Sequence, residues 1–322
     1  MRAMVLAAGF GTRLWPLTVD RTKPAVPFLN KPLIAYSVEY LRQFSITELI
    51  INLHHQGESI RRLLSNGESY HVQIHYSEEE EILGTSGALD HARHWLEGEI
   101  FVVMNGKVIT DIDLTAALAT HRARGALATL ILKENHQRER FSIVRLDNAG
   151  NIEGFGGFPD ATTPQSTPLM FTGIQILEPE IFDYIPRGRF SHSTTDVYPR
   201  AIAEGRIVAA HISNGEWYEL STLARYLDIS IQFMRTGRYQ DGDHRVVCGA
   251  GSVIAAGAQV SESVLWERVQ VQTGAKLSQV IVGDDVIIPA NTQFERVAII
   301  RRDRCDQIEQ GEIIGENLVV PI

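Results

Sequence analysis

Two glycines, a threonine and an arginine fall within one turn of chain in Leu6-Ala7-Ala8-Gly9-Phe10-Gly11-Thr12-Arg13, and Lys23 follows in Thr22-Lys23-Pro24-Ala25-Val26-Pro27. These residue types suit a loop that wraps an anion. Glycine lets the backbone approach a ligand and take conformations closed to other residues. Successive amide N–H groups in such a turn point at phosphate oxygens. Arg13 adds a planar, permanently charged fork, and Lys23 a second positive charge. A bare Gly-x-Gly after a strand is equally well a tight turn. The joint run Gly-x-Gly-Thr-Arg-Leu, Pro-Leu-Thr and Lys-Pro-x-x-Pro is far more specific.

The elements around the loop are those of a parallel α/β sheet. Residues 3–8 form a short apolar run that predicts a buried first strand. Apolar spacing predicts a helix over 32–44, a strand over 48–53, a helix over 60–64, a strand over 72–76 and a helix over 88–96. This alternation belongs to parallel strands joined by crossovers. In such sheets ligands sit at the carboxyl ends of strands, where the glycine loop lies. Further along, the pattern predicts a strand over 99–105, a helix over 114–121, a strand over 126–132 and a hairpin of 142–146 with 151–155. A strand over 170–177, helices over 178–185 and 196–203, a strand over 207–212 and an exit helix over 226–234 complete it.

Composition bounds the partners. The 322 residues are 44% hydrophobic and 21% charged, with 30 Lys and Arg against 39 Asp and Glu, a formal charge of -9. That balance argues against a general nucleic-acid or acidic-membrane surface, so an anion site is local. Two cysteines, Cys248 and Cys305, are too few for a disulfide framework or a zinc site and fit a reducing cytoplasm. No signal-peptide-like start and no apolar run near the ~20 residues of a membrane span are found.

The loop motifs resemble the signature of the sugar-nucleotidyltransferases, the pyrophosphorylases that join sugar 1-phosphates to nucleoside triphosphates; the overall look is closest to the mannose-1-phosphate guanylyltransferase-like members. The resemblance implies a Rossmann-like mixed-sheet nucleotidyltransferase domain over 1–236. It also implies catalytic Arg13 and Lys23 on the leaving pyrophosphate, and a nucleotide seat of Leu6, Ala7, Ala8, Gly9, Gly11, Thr12, Glu81, Gly84 and Asn105. Glu81-Ile82-Leu83-Gly84-Thr85-Ser86-Gly87-Ala88-Leu89 is similar to the family's second nucleotide segment, Leu-Gly-Thr-Ala-Gly-Ala-Leu. Of the four glutamates 78–81, the first three read as a solvated turn, while an acid just upstream of Gly84 suits the donors of guanine. GTP is therefore favoured over UTP, dTTP and ATP.

Several positions depart from the family pattern. Asn105-Gly106-Lys107 stands where the family has Asn-Gly-Asp, whose Asp holds magnesium. An ammonium replaces a cation and cannot bind one, so Lys107 is read as a catalytic contact to the α-phosphate or the sugar phosphate. Asp111 and Asp113 follow, one of them suited to cap the next helix. Phe141-Ser142 and Phe155-Gly156-Gly157-Phe158-Pro159 replace the family's Tyr-Gly and Phe-x-Glu-Lys-Pro, so both sugar-side charges are absent. Thr172 and Gly173 match the family's sugar strand. In Trp217-Tyr218-Glu219-Leu220-Ser221-Thr222, Glu219 stands at the family's second metal-binding Asp. Glu219 and Asp111 are thus the metal candidates for Mg²⁺.

From about 245 onward, small or β-branched residues recur at steps of five or six: Val264, Val269, Ala275, Val280, Val286, Thr292 and Val297, with Gly251, Gly257, Gly274 and Gly283 expected at turns. This resembles the hexapeptide-repeat left-handed β-helix, placed over 245–322, and implies a homo-oligomer. Residues 303–322 carry no readable pattern. Two functions remain open: a sugar-1-phosphate nucleotidyltransferase acting on a nucleoside triphosphate, or a regulatory nucleotide-binding relative that has lost the chemistry. An acyltransferase use of the coil is disfavoured, since no histidine lies between Val246 and Ile322.

Overall fold

The computed structural model describes residues 1–159, 167–238 and 245–322. The chain forms two compact units. The first comprises Met1–Gly9, Tyr36–Gly57 and Leu64–Trp217, and the second Phe10–Ala35, Glu58–Leu63 and Tyr218–Ile322.

The first unit is built on a nine-stranded mixed sheet. Its strands are β1 (Arg2–Leu6), β2 (Glu48–Leu53), β3 (Gln73–Glu78), β4 (Phe101–Asn105), β5 (Ala128–Glu134), β6 (Ile143–Leu146), β7 (Ile152–Phe155), β8 (Leu169–Leu177) and β9 (Val208–Ile212). The order is β7-β6-β8-β4-β1-β2-β3, with β5 pairing β8 and β9 pairing β5. β1 runs parallel to both β2 and β4, while β8 runs antiparallel to β4, β5 and β6. Ala3, Met4 and Val5 are fully buried, as expected of a central parallel strand covered on both faces. Helices α1 (Leu33–Gln43), α3 (Gly84–His91) and α4 (Leu114–Arg124) follow the predicted alternation, as does α2 (Glu58–Leu64), most of which belongs to the second unit. The helix expected over 178–185 is instead a 3-10 turn, Pro179–Asp183. Pro179 opens it and Pro186 prevents its extension past Ile185.

The second unit contains α5 (Leu223–Arg235) and a left-handed coil of three parallel sheets. Strand partners such as Val246 and Ser263, Val253 and Gln270, and Gln259 and Lys276 set the repeat. It is 17 residues per coil, the sum of one five-residue and two six-residue steps. Val269, Ala275, Val280 and Val286 are all at most 1% exposed and belong to the coil's buried cluster, whereas Val264, equally buried, falls in register with Ile281 and not with Val280. Left-handed backbone recurs at the same period at three corners: Gly251, Arg268 and Asp285; Gly257, Gly274 and Asn291; Glu262, Gln279 and Arg296. Gly283 is not among them; it lies against Ile300, where a Cβ would come within 3.2 Å of Cγ2. Side-chain ladders brace these corners, with Arg268 Nε donating to Asp285 (2.6 Å) and Gln279 to Glu262 (2.9 Å). The last coil strand, Val297–Arg301, is covered by antiparallel Asn317–Pro321, which pairs in turn with Glu312–Ile314.

Candidate functional site

In the first unit, register pairs Leu6 with Asn52 of β2 on one side and with Asn105 of β4 on the other. Three parallel carboxyl ends therefore meet where the chain leaves buried Ala7 and Ala8 for exposed Gly9. Nothing lies within 4 Å of where a Gly9 Cβ would stand, so this backbone is open to close approach. The Gly106 amide donates to the Leu6 carbonyl (3.0 Å), which sets half-buried Lys107 just past the meeting point.

A buried relay holds this seat together. The Ala7 amide donates to Asn52 Oδ1 (2.7 Å), Asn52 Nδ2 donates to Glu79 Oε1 (2.7 Å), and Glu79 Oε2 accepts the Leu83 amide (2.9 Å). A buried carboxylate is costly unless hydrogen-bonded, and here both oxygens accept. Of the solvated turn expected of glutamates 78–80, Glu80 is exposed, Glu78 is exposed but ends strand β3, and Glu79 is 5% exposed. Sequence reasoning missed Asn52 and Glu79, which tie the Ala7 amide to the Leu83 amide. The available signal was a polar Asn at the carboxyl end of an apolar strand. Glu81 itself is exposed, three residues before Gly84 opens α3. A Cβ on Gly84 would sit 2.5 Å from the Ser191 carbonyl oxygen, which accepts the Ser86 and Gly87 amides (3.1 and 3.3 Å). Those amides are thus spent on the 191 loop.

On β8, pairing shifts register between Phe171 and Gln175. Thr172 is 1% exposed, and its hydroxyl donates to the Ile131 carbonyl (2.7 Å) and accepts the Ile174 amide (3.3 Å). Its carbonyl accepts Trp217 Nε1 (2.9 Å). Thr172 therefore shapes a bulge, with Gly173 at its apex in left-handed conformation (φ 80°) beside Asn105.

Asp113 caps α4, Oδ1 accepting the amides of Thr115 and Ala116 (2.8 and 3.2 Å). Asp111 is exposed, and its Oδ1 accepts the Glu216 amide (2.6 Å), so one oxygen is committed to a turn. Between them, Tyr40 donates to the Ile112 carbonyl (2.9 Å). Burial, with the charges of Asp113 and Asp111, pushes the Tyr40 phenol well above its ordinary value, so it stays a donor.

In the second unit, Gly11 (φ 72°) opens the 3-10 turn Thr12–Leu14. A Cβ there would approach Lys23 Cβ to 3.1 Å, so the glycine turn and the lysine are packed as one piece. Thr12 and Arg13 are exposed, whereas Lys23 is 6% exposed with Nζ donating to the Ser221 carbonyl (3.2 Å). Glu219 lies two residues before Ser221 and is 7% exposed. The Thr222 side chain caps α5, accepting the Arg225 amide (3.2 Å).

Among the described residues, no three His, Cys, Asp or Glu side chains are gathered into a metal cage. One buried carboxylate, Glu219, fits an Mg²⁺ that takes most of its ligands from substrate phosphates and water. The donor set does not fit a metal held by protein alone.

A family model described as Nucleotidyl transferase matches residues 2–235. The chain belongs to the nucleotidyl transferase family. A second, described as GlmU-like, C-terminal hexapeptide, matches residues 231–320. Among curated relatives, a UTP--glucose-1-phosphate uridylyltransferase of Synechocystis is 35% identical over 70% of this nucleotidyl transferase, a match spanning 61% of that relative. An N-acetylmuramate alpha-1-phosphate uridylyltransferase of Neisseria meningitidis is 35% identical over 70% of the chain and 95% of that relative. A probable mannose-1-phosphate guanylyltransferase of Oryza sativa is 27% identical over 96% of the chain and 93% of its own length. In fold, the chain is similar to a Bacillus anthracis protein assigned as a glucose-1-phosphate thymidylyltransferase. That likeness has TM-score 0.63 at 23% identity, over 75% of this chain and 96% of that one.

Proposed function

We propose that this nucleotidyl transferase joins a sugar 1-phosphate to a nucleoside triphosphate, GTP being favoured, and releases pyrophosphate. The observation that carries the reading is the packing of Lys23 against Gly11: a 6% exposed lysine built into the glycine turn of a matched nucleotidyl transferase domain. GTP is supported by the guanylyltransferase relative, whose likeness runs through the coil as well. UTP is the second reading, favoured by the higher identity of the two uridylyltransferases.

A sugar-phosphate oxygen attacks the α-phosphorus, a new P–O bond forms, and the bond from the α-phosphorus to the bridging oxygen breaks as pyrophosphate leaves. Positioning and charge stabilisation dominate such a step. Arg13 and Lys23 neutralise the departing pyrophosphate. Leu6, Ala7, Ala8, Gly9, Gly11 and Thr12 line the phosphate turn, and Glu81, Gly84 and Asn105 the nucleoside side. Lys107 contacts the α-phosphate or the sugar phosphate, and the Thr172 and Gly173 bulge lies toward the sugar. Glu219, with Asp111 or the triphosphate alone, would hold Mg²⁺, which would supply charge neutralisation on the phosphates.

Pyrophosphate release from GTP, UTP, dTTP and ATP, each against a panel of sugar 1-phosphates, tests the reading. Turnover with one pair supports it. Tight nucleotide binding with no release from any pair replaces it with the regulatory nucleotide-binding reading. The β-helix supports a homo-oligomer, which a monomeric mass in solution overturns, and the two cysteines support a cytoplasmic protein.

A further inference from the structure

The segment carrying Lys23 is tied to the hexapeptide coil on both sides of the lysine. On its amino side, Arg21 Nη2 donates to Asp284 Oδ2 (2.6 Å) and Nε to Asp20 Oδ1 (2.8 Å), with the guanidinium 5.0 Å from the Trp266 ring centre. On its carboxyl side, the Tyr226 hydroxyl donates to the Pro27 carbonyl (2.5 Å) and accepts Trp266 Nε1 (3.1 Å). Trp266 and Asp284 stand on successive coils, and both are buried. Asp284 is itself aimed by the coil backbone, since its Oδ1 accepts the Glu267 amide (3.0 Å). Between the two ties lies the 3-10 turn Lys23–Ala25, closed by the Ala25 and Val26 amides on the carbonyls of Thr22 and Lys23 (3.0 and 3.1 Å). The turn is short and weakly self-supporting. Its fixed geometry therefore depends on what holds its ends.

We propose that Asp284 of the coil is a positioning residue for Lys23, fixing residues 21–27 in the conformation that offers the lysine to phosphate. This rests on the reading of Lys23 as a pyrophosphate ligand. Burial works against the charges of Asp20 and Arg21, yet their mutual hydrogen bond and the neighbouring Arg304 and Asp284 outweigh it. The Asp20 carboxyl accordingly lies below its ordinary value and the Arg21 guanidinium above. Both Arg21 and Asp284 line a cavity of about 560 Å³ rather than tight core, so Asp284→Asn removes charge with little change in packing. Arg21 keeps Asp20 as a partner in that variant, so no buried charge is orphaned.

The test uses the full chain with Asp284→Asn, and Glu295→Gln, an exposed carboxylate on the same coil, as control. Amide exchange at Ala25 and Val26 is expected to rise about tenfold or more, and the dissociation constant for inorganic pyrophosphate with Mg²⁺ about tenfold, a weakening of one hydrogen-bonded contact. Glu295→Gln leaves both unchanged. The double variant Arg21→Gln with Asp284→Asn, which restores an uncharged hydrogen-bonded pair, recovers part of the loss. Unchanged exchange in Asp284→Asn overturns the proposal whether or not the protein turns over a nucleotide. So does pyrophosphate binding that stays equal or tightens. If wild type binds pyrophosphate but releases none from any substrate pair, the proposed reaction falls while the exchange result still decides the clamp. Should Asp284→Asn fail to fold, Arg21→Lys, which keeps the charge and loses the second hydrogen bond, gives the same exchange readout in smaller degree.

Discussion

Asn52 and Glu79 share a 2.7 Å hydrogen bond, both nearly out of solvent, and between them join the Ala7 amide to the Leu83 amide. The end of the first strand and the turn before α3 are thereby held by one pair of side chains. Glu79→Ala leaves the Asn52 amide group and the Leu83 N–H without partners, and is expected to cost about 2 kcal/mol. Glu79→Gln, which keeps one acceptor, costs less. Urea unfolding of the three proteins checks both the sign and the order.

Gly173 admits no side chain. An added Cβ would lie 2.1 Å from Asn105 Nδ2, on a backbone with φ of 80°. Gly173→Ala is expected to destabilise by on the order of 2 kcal/mol and to displace Asn105. A melting curve and nucleotide titration of the variant measure the two effects separately.

Lys107 stands where the family resemblance implies a metal-binding carboxylate, so the proposed reaction leans on its charge. Lys107→Ala is expected to lower kcat/KM by about tenfold or more. Unchanged turnover would remove Lys107 from the mechanism. Lys107→Asp is expected to shift the Mg²⁺ concentration for half-maximal rate downward, read from a metal titration at fixed substrate.

His121 is expected to make stability depend on pH. Its ring, 1% exposed, meets Thr129 Oγ1 (2.8 Å) and Glu178 (3.2 Å). Burial pushes the imidazole below its ordinary value despite the pull of Glu178. The unfolded chain therefore takes up a proton first as pH falls through about 6.5. Stability falls from there downward until the folded ring also protonates, by at most about 1.4 kcal/mol per pH unit for one proton. Melting temperatures between about pH 7.5 and 5.5 should decline for wild type and decline less for His121→Gln.

Much of this architecture was legible because it repeats or alternates. The five- and six-residue steps from Val264 to Val297 anticipate the 17-residue coil, and 48–53 is found unchanged as β2. What escaped was set by distant partners. Glu79 looks like its neighbours in a run of four acids, and only Asn52 makes it a core residue. Thr172 reads as a polar contact, yet its hydroxyl goes to the Ile131 carbonyl across the sheet. Six of the nine coil corners with left-handed backbone carry a side chain, as at Arg268 and Gln279, so glycine alone could not mark them. Residues 303–322 lacked periodicity because part of them pairs antiparallel with a strand already placed.

That antiparallel closure has a consequence for solubility. A parallel coil presents open N–H and C=O groups on its final rung, and such a rung invites another chain to add on. Here Asn317–Pro321 fills that row along Val297–Arg301 and turns the growth direction back on itself. A chain shortened before residue 317 would expose a sticky sheet margin, and end-to-end fibre growth would compete with the native fold.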